Sequence, residues 1–231
     1  MKISLIIPCY NESKNLPTLF ERCQQLDPEI FEIIIVNNGS TDDTSNVINN
    51  LLNYQYPFIK SIKVEVNQGY GHGILRGLQS CTGNIIGWTH ADLQTDPLDA
   101  IQVKKIAQQY GENFFIKGQR YGRPMGDVLF TVGMSLFESI LLKKFFWDIN
   151  AQPTFFPREF FEEWDLPPND FSLDLYAYYQ AKKTNLKIIR FPVFFGERLH
   201  GHSHWNIDLR SKWKFIKRTI QFSLTLRKRI D

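Results

Sequence analysis

The chain has 231 residues, 43% hydrophobic and 14% aromatic, enough to bury a sizeable core and too much for an intrinsically disordered chain. Glycine (14) and proline (11) are near ordinary usage, which excludes collagen-like and low-complexity classes. Net charge is +3, too slight to argue for nucleic acid, but it is unevenly spread: from Arg198 onward nine Lys/Arg stand against two acids, giving +7 there and −4 elsewhere.

No uncharged apolar run reaches the roughly 18 residues of a membrane-spanning helix. The longest candidate, 128–147, is broken by Glu138, Lys143 and Lys144. The apolar stretch at the N-terminus ends at Pro8 and does not read as a signal peptide. Three cysteines (Cys9, Cys23, Cys81) without CxxC spacing read as reduced core thiols. The expectation is a cytoplasmic protein.

In chain order, Ile3–Ile7 is a short β-branched run closed by proline, the pattern of a buried strand. Ser13 or Asn15 can cap a helix to about Leu26, with Leu16, Leu19, Phe20 and Cys23 on one face. Phe31–Val36 is a second strand, ended by the turn cluster Asn37-Asn38-Gly39-Ser40. A helix with Val47, Ile48, Leu51 and Leu52 as its apolar stripe follows Asp42 and Asp43. A third strand spans Ile59–Val66, a helix Gly73–Ser80, and a fourth strand Asn84–Thr89. Strands separated by helices predict an α/β fold with a mostly parallel central sheet flanked by helices. Ligands bind such sheets outside the carboxyl ends of the strands. Further on, the sequence predicts an aromatic-rich helix over 128–147, a loop-rich stretch over 150–168, a helix over 172–183 and a strand over 187–195. Nothing marks a linker, so one domain over 1–206 is expected, followed by a basic amphipathic helix over 207–231.

Three segments carry candidate chemistry. Gly69, Gly71, Gly73 and Gly77 lack GxGxxG spacing; they suit either backbone contact with phosphate or a tight strand-to-helix turn. His90 and Asp92 lie two apart at the end of the fourth strand, so an extended chain points both to one side. They could ligate Mg²⁺ or Mn²⁺, with a diphosphate supplying further oxygens; alternatively Asp92 and Asp96 cap the helix opening at Pro97. His200, His202 and His204 have even spacing but fall in a glycine-containing loop, where a solvated loop is the plainer reading than zinc.

Ile6-Ile7-Pro8-Cys9-Tyr10-Asn11-Glu12, Val36-Asn37-Asn38-Gly39-Ser40-Thr41-Asp42 and Ala91-Asp92-Leu93-Gln94 resemble the family 2 glycosyltransferases. The late segment Phe191-Pro-Val-Phe-Phe-Gly-Glu-Arg198-Leu-His-Gly201-His-Ser203 resembles the proline-valine strand and Arg-x-x-Gly-x-Ser loop of the dolichyl-phosphate mannose synthase and polyprenyl-phosphate sugar transferase branch. The resemblance implies a GT-A nucleotide-diphospho-sugar transferase fold and inverting transfer from a nucleotide-diphospho-sugar to a polyprenyl phosphate or lipid-linked glycan. By position, Pro8, Tyr10, Glu12, Asn38, Gly71, Ala91 and Gln94 would bind the donor. Asp92 and His90 would hold a divalent cation, Mn²⁺ or Mg²⁺. Arg120, Arg198 and Ser203 would hold phosphate groups. Asp92, Asp174 and Arg198 are the expected catalytic residues, with Asp148 a second candidate base.

Two departures from the family pattern matter. His90 stands where the family usually has a second aspartate, which weakens the cation site and keeps a non-catalytic sugar-nucleotide-binding subunit in view. Asn37-Asn38 stands where two aspartates are common. An amide can accept from uracil N3–H and donate to its carbonyl, which favours UDP-sugars over GDP-sugars. In the C-terminal helix, Leu209, Trp213, Ile216, Ile220 and Leu224 form one stripe, with Phe215, Phe222 and Leu226 opposite. Lys214, Lys217, Arg218 and Lys228 lie between. Such a helix fits peripheral contact with a cytoplasmic membrane face, or packing by the domain on one side and a second subunit on the other.

Overall fold

The computed structural model describes residues 1–53, 57–200 and 209–228, the last with side chains at Trp213 and from Ile216 on. Strands β1 (Ile3–Cys9), β2 (Phe31–Asn38), β3 (Ile59–Val64) and β4 (Ile85–Trp88) are joined through helices α1 (Leu16–Cys23), α2 (Thr44–Leu52) and α3 (Tyr70–Ser80). A 3₁₀ turn at Pro97–Ala100 leads into α4 (Ile101–Tyr110), then β5 (Phe114–Tyr121), α5 (Met125–Leu141), β6 (Thr154–Pro157), α6 (Arg158–Glu162), α7 (Leu173–Lys183), β7 (Lys187–Phe194) and α8 (Leu209–Lys228). All seven strands form one sheet in the order β3-β2-β1-β4-β6-β5-β7. Only β6 runs against its neighbours; β1 pairs in parallel with both β2 and β4.

The β-branched runs form this sheet because both of its faces are covered. Side chains alternate: Ile3, Leu5 and Ile7 join the layer of α1, α2 and α4, while Ile6 joins the layer of α3 and α7. From β1 the chain builds outward to β2 and β3 on one side and to β4 on the other, and loops on the two sides part above β1. That switch point opens a crevice at the carboxyl ends of β1, β2 and β4.

Strands β5 and β6 are not foreseen from the sequence pattern. Thr154–Pro157 is only four residues long and proline-ended, within a stretch expected to be loop. In β5, Phe114–Ile116 are core residues, but Lys117 to Tyr121 read as polar: Lys117 is buried as a charge and Arg120 reaches the crevice. The helix expected over 128–147 is α5, from Met125 to Leu141, and it is not a core helix. Its buried positions are Ser135 and Glu138. The three cysteines are buried free thiols, as expected.

The C-terminal helix departs from the first expected stripe and packs the described part of the second, Phe222 and Leu226, against the core. Its buried face is Thr219, Ser223 and Leu226, with Phe222 packed beside them, whereas Trp213 and Leu224 are exposed. The side chains of Leu209, Lys214 and Phe215 lie outside the described ones. No described helix is long and apolar enough to cross a membrane.

Candidate active site

A cavity of about 700 Å³ opens at the switch point. Pro8, Tyr10 and Glu12 enter it from the loop after β1, Asn38 from the end of β2, and His90, Ala91, Asp92 and Gln94 from the loop after β4. Arg120, Asp174 and Arg198 reach it from β5, α7 and the segment after β7. All of these are expected site residues, brought together from separate segments of chain. Ser203, with His202 and His204, lies outside the described residues. His200 is described through its carbonyl, which accepts from Asn15 Nδ2 at 3.4 Å.

Gly71 is a correction. It does not line the cavity; a Cβ there would stand 2.6 Å from the Pro168 carbonyl oxygen and 2.7 Å from that of Asp170. Gly69, at φ +120, would place a Cβ 2.4 Å from the Asn169 carbonyl oxygen. His72 N–H donates to that same carbonyl at 2.9 Å. The glycines therefore let the start of α3 lie against the 168–170 backbone, and the phosphate reading of this helix end gives way to the tight-turn reading. Gly69 and Tyr70 still form part of the cavity wall.

Asn37 and Asn38 also separate in role. Asn37 donates to Ser45 Oγ at 2.7 Å and accepts from Ser40 N–H at 3.1 Å, which fixes the turn. Asn38 Nδ2 donates to the Gly69 carbonyl at 2.9 Å, and its buried Oδ1 has no partner. One amide hydrogen is thus committed, which leaves the second amide hydrogen and the carbonyl oxygen for a ligand.

The expected cation site centres on Asp92. Arg198 Nη2 lies 2.8 Å from Asp92 Oδ2, and Gln94 N–H donates to Oδ1 at 3.2 Å. The arginine segment is tied down beside it: Gly196 N–H donates to the Gln94 carbonyl at 2.9 Å, and Gln94 Nε2 returns a bond to the Gly196 carbonyl at 3.1 Å. His90 stacks on Tyr70 with ring centroids 5.5 Å apart. Burial holds the His90 imidazole below its ordinary range, against the pull of Asp92 and Asp174. It is therefore neutral and able to ligate. Burial raises the Glu12 carboxyl; Asn15 opposes this by hydrogen bonding and Asp92 adds to it. No cluster of three His, Cys, Asp or Glu groups able to hold a metal occurs among the described residues. One carboxylate and one imidazole suit Mn²⁺ better than Mg²⁺, provided a diphosphate completes the shell and Arg198 yields Asp92.

On the opposite wall, Asp174 in the first turn of α7 is 2% exposed. Gln152 Nε2 donates to it at 2.6 Å, and Lys117 Nζ lies 3.6 Å away. Burial raises the Asp174 carboxyl, with Lys117 the strongest opposing group. Burial also lowers the Lys117 ammonium, to about 8, with Asp174 opposing. Each group opposes, without cancelling, the shift that burial imposes on the other. Lys117 donates to Thr154 Oγ1 at 2.9 Å, so the unforeseen strand β6 anchors it.

Arg120 faces the cavity but also binds Asp148 through Nε at 3.1 Å and through Nη2. Arg123 lies 3.8 Å from the same carboxylate. These cations hold Asp148 below its ordinary range despite burial. Asp148 does not line the cavity, so it is a counterion rather than a second base. Arg123, which no motif singles out, lines the cavity with a buried Nε that has no partner. Its place just past β5, close to Arg120, is the one signal the sequence offers for it. Lys117 stands out in the sequence only as a lone charge beside an apolar half-strand.

The family model described as Glycosyl transferase family 2 matches residues 4–164. The chain is 35% identical over 114 residues to the undecaprenyl-phosphate 4-deoxy-4-formamido-L-arabinose transferase of Pseudomonas syringae pv. syringae (strain B728a), a match covering 46% of this chain and 33% of that protein. It is 33% identical over 112 residues to the enzyme of the same name from Sodalis glossinidius (strain morsitans), covering 47% and 34%. The matches thus span about a third of those relatives' length. Among solved structures, glucosyl-3-phosphoglycerate synthase from Mycobacterium tuberculosis in complex with UDP superposes with a TM-score of 0.75 at 17% identity, over 98% of this chain and 80% of that one. The mannosyltransferase PcManGT from Pyrobaculum calidifontis, in complex with GDP-Man and Mn²⁺, gives 0.66 at 18% identity, over 87% and 58%. Strand-end motifs, a GT-A fold and the family match agree: the chain belongs to glycosyltransferase family 2.

Proposed function

We propose that the protein transfers a sugar from a nucleotide-diphospho-sugar to a polyprenyl phosphate, with inversion at the anomeric carbon. The observation that carries this reading is the pairing, in one cavity, of Asp92–Arg198 on the donor wall with Arg120, Arg123 and Asp174 on the other. One wall is suited to a diphosphate leaving group, the other to an acceptor phosphate. The partial matches to undecaprenyl-phosphate sugar transferases support the acceptor class.

In this mechanism the donor base lies by Pro8, Tyr10 and Asn38. Asn38 can accept from uracil N3–H through Oδ1 and donate its second amide hydrogen to a uracil carbonyl, a pairing that the adjacent N–H groups of guanine do not match, which favours a UDP-sugar. A divalent cation at Asp92 and His90 would add positive charge against the diphosphate. The acceptor phosphate, held by Arg120 and the unpartnered Nε of Arg123, is largely dianionic at pH 7, since its second pKa is about 6. A phosphate oxygen bonds to the anomeric carbon as the bond from that carbon to the diphosphate oxygen breaks. The electron pair leaves on the nucleoside diphosphate, and Arg198 stabilises the developing charge. When the acceptor arrives as a monoanion, Asp174 takes its proton. The basic face of α8 supports placing the enzyme peripherally on a cytoplasmic membrane surface.

The test is a thermal-shift panel of UDP, GDP, CDP and ADP, each with Mn²⁺, Mg²⁺ or EDTA, followed by transfer to undecaprenyl phosphate. A ligand bound only by the folded state raises Tm. A shift specific to UDP and enhanced by Mn²⁺ is expected. A shift with GDP alone would overturn the donor preference, and a UDP-sugar transferred only to a non-phosphate acceptor would overturn the acceptor.

A further inference from the structure

Helix α5 is built inside out. Met125, Leu129, Leu136 and Ile140 are each at least 60% exposed, while Ser135 and Glu138 are buried. Surface helices ordinarily do the reverse, and a contiguous apolar face in water marks a place where something apolar binds. Between α5 and α8 runs a groove of about 280 Å³, lined chiefly by Gly133, Phe137, Ile216 and Ile220. Phe130 and Met134 line both this groove and the active-site cavity, so the two adjoin at these side chains.

Glu138 is the one ionisable group among the described groove residues, and it is fully buried. Ser223 Oγ lies 2.6 Å from Glu138 Oε1 and 2.8 Å from the Thr219 carbonyl. A hydroxyl has a single proton, so both contacts are hydrogen bonds at once only when the carboxyl supplies the second. Burial pushes Glu138 up to about 7, against the Ser223 hydrogen bond, in keeping with a protonated, neutral acid. The groove is then uncharged along its length. Gly133 keeps it open: a Cβ there meets nothing within 4 Å. Glycine inside a helix costs roughly 1 kcal/mol relative to alanine, and here the helix gains a channel rather than a turn.

An anion site joined to a hydrocarbon-lined channel has the shape of an amphiphile's two halves. Resting on the reading of the acceptor as a polyprenyl phosphate, we infer that the groove between α5 and α8 seats the isoprenoid segment next to the acceptor phosphate, entering past Phe130 and Met134. Gly133→Leu is the direct test, since it fills the groove without a backbone clash and favours the helix. The probes are farnesyl phosphate and dimethylallyl phosphate, titrated against the full chain by calorimetry, with sedimentation run in parallel. Wild type is expected to bind farnesyl phosphate at least about tenfold more tightly, because the extra isoprene units are buried. Gly133→Leu is expected to bring the two within about threefold by weakening farnesyl phosphate alone. A variant that keeps the farnesyl advantage overturns the groove assignment while leaving the phosphate site standing. Binding of neither phosphate by wild type overturns the acceptor reading itself. A wild-type dimer that Gly133→Leu turns into a monomer overturns the lipid occupant in favour of a second copy of the chain.

Discussion

Two buried carboxylates at opposite ends of the same sheet behave in opposite ways. Glu32, near the amino end of β2, is 1% exposed and accepts from Ser4 Oγ at 2.7 Å, Thr82 N–H at 2.7 Å and Lys60 Nζ at 2.9 Å. Burial alone would raise its pKa, but Lys60, Ser4 and Thr82 outweigh it and hold it at about 2. Asp174, at the carboxyl end, has Gln152 and a lysine that burial itself is discharging, and its pKa is raised. Exposure is similar, but Asp174 lies deeper; heavier desolvation and a weaker set of donors together raise it, where shallower burial and four hydrogen bonds lower Glu32. A fully satisfied carboxylate stabilises the fold, whereas an under-satisfied one is poised to exchange a proton, as a reactive site requires.

The largest expected effect lies at the carboxyl end. Asp92→Asn should cut transfer at least ~10²-fold, since it removes the charge that positions Arg198 and any cation. Its Tm should stay within a few degrees of wild type. A fall in Tm matching the loss of turnover would place Asp92 with Glu32 as a structural group and break the comparison.

Next is Glu32→Ala, which should cost on the order of 3 kcal/mol in denaturant unfolding, from lost buried hydrogen bonds and stranded donors. Turnover per folded molecule should be unchanged. Because Lys2 and Lys60 are about half exposed, they contribute less than Ser4 and Thr82. Glu32's pKa is depressed, so its stabilisation is present above the ordinary 4.5 and is lost as pH falls toward 2. The acid-unfolding midpoint should therefore rise in the variant. An unchanged midpoint would show that Glu32 is not held in its charged form.

Glu138 tests the opposite sign. Its pKa is raised from 4.5 to about 7, so it withdraws stability as pH rises through that window. Glu138→Gln should be more stable than wild type at pH 8 by about 1–2 kcal/mol and no more stable at pH 5. Parallel Tm–pH curves for the two proteins would refute this. The smallest effect is expected from Lys117→Met. Asp174 loses its strongest opposing cation, so the acid limb of the rate profile should move to higher pH. An unmoved limb would remove Asp174 from proton transfer.

How much of this was legible depended on whether neighbours in sequence carried the signal. The strands β1 to β4 were readable because burial on both faces demands unbroken β-branched runs. The carboxyl-end loops were readable because turn residues and strand ends set their places. Strand β5 changes character at Lys117, where it leaves the core for the cavity wall, and β6 is too short to show a period. Helix α5 has the apolar content of a core helix, yet its polar Ser135 and Glu138 are what the fold buries.

The α/β class and the order of the first elements follow from the chain's local periodicity and turn chemistry, which act over a few residues, and the site residues were named through the resemblance of the strand-end motifs to family 2 glycosyltransferases. Only the tertiary structure decided how each group is used. Asn38 is oriented by the Gly69 carbonyl, 31 residues on, which takes one of its amide hydrogens and leaves its Oδ1 without a partner. Asp148 became a counterion and Asp174 a cavity group because donors from β5 reach one as full pairs and the other as a partly discharged lysine. Hydrogen-bond satisfaction and desolvation are set by distant chain segments meeting, and no local pattern encodes them.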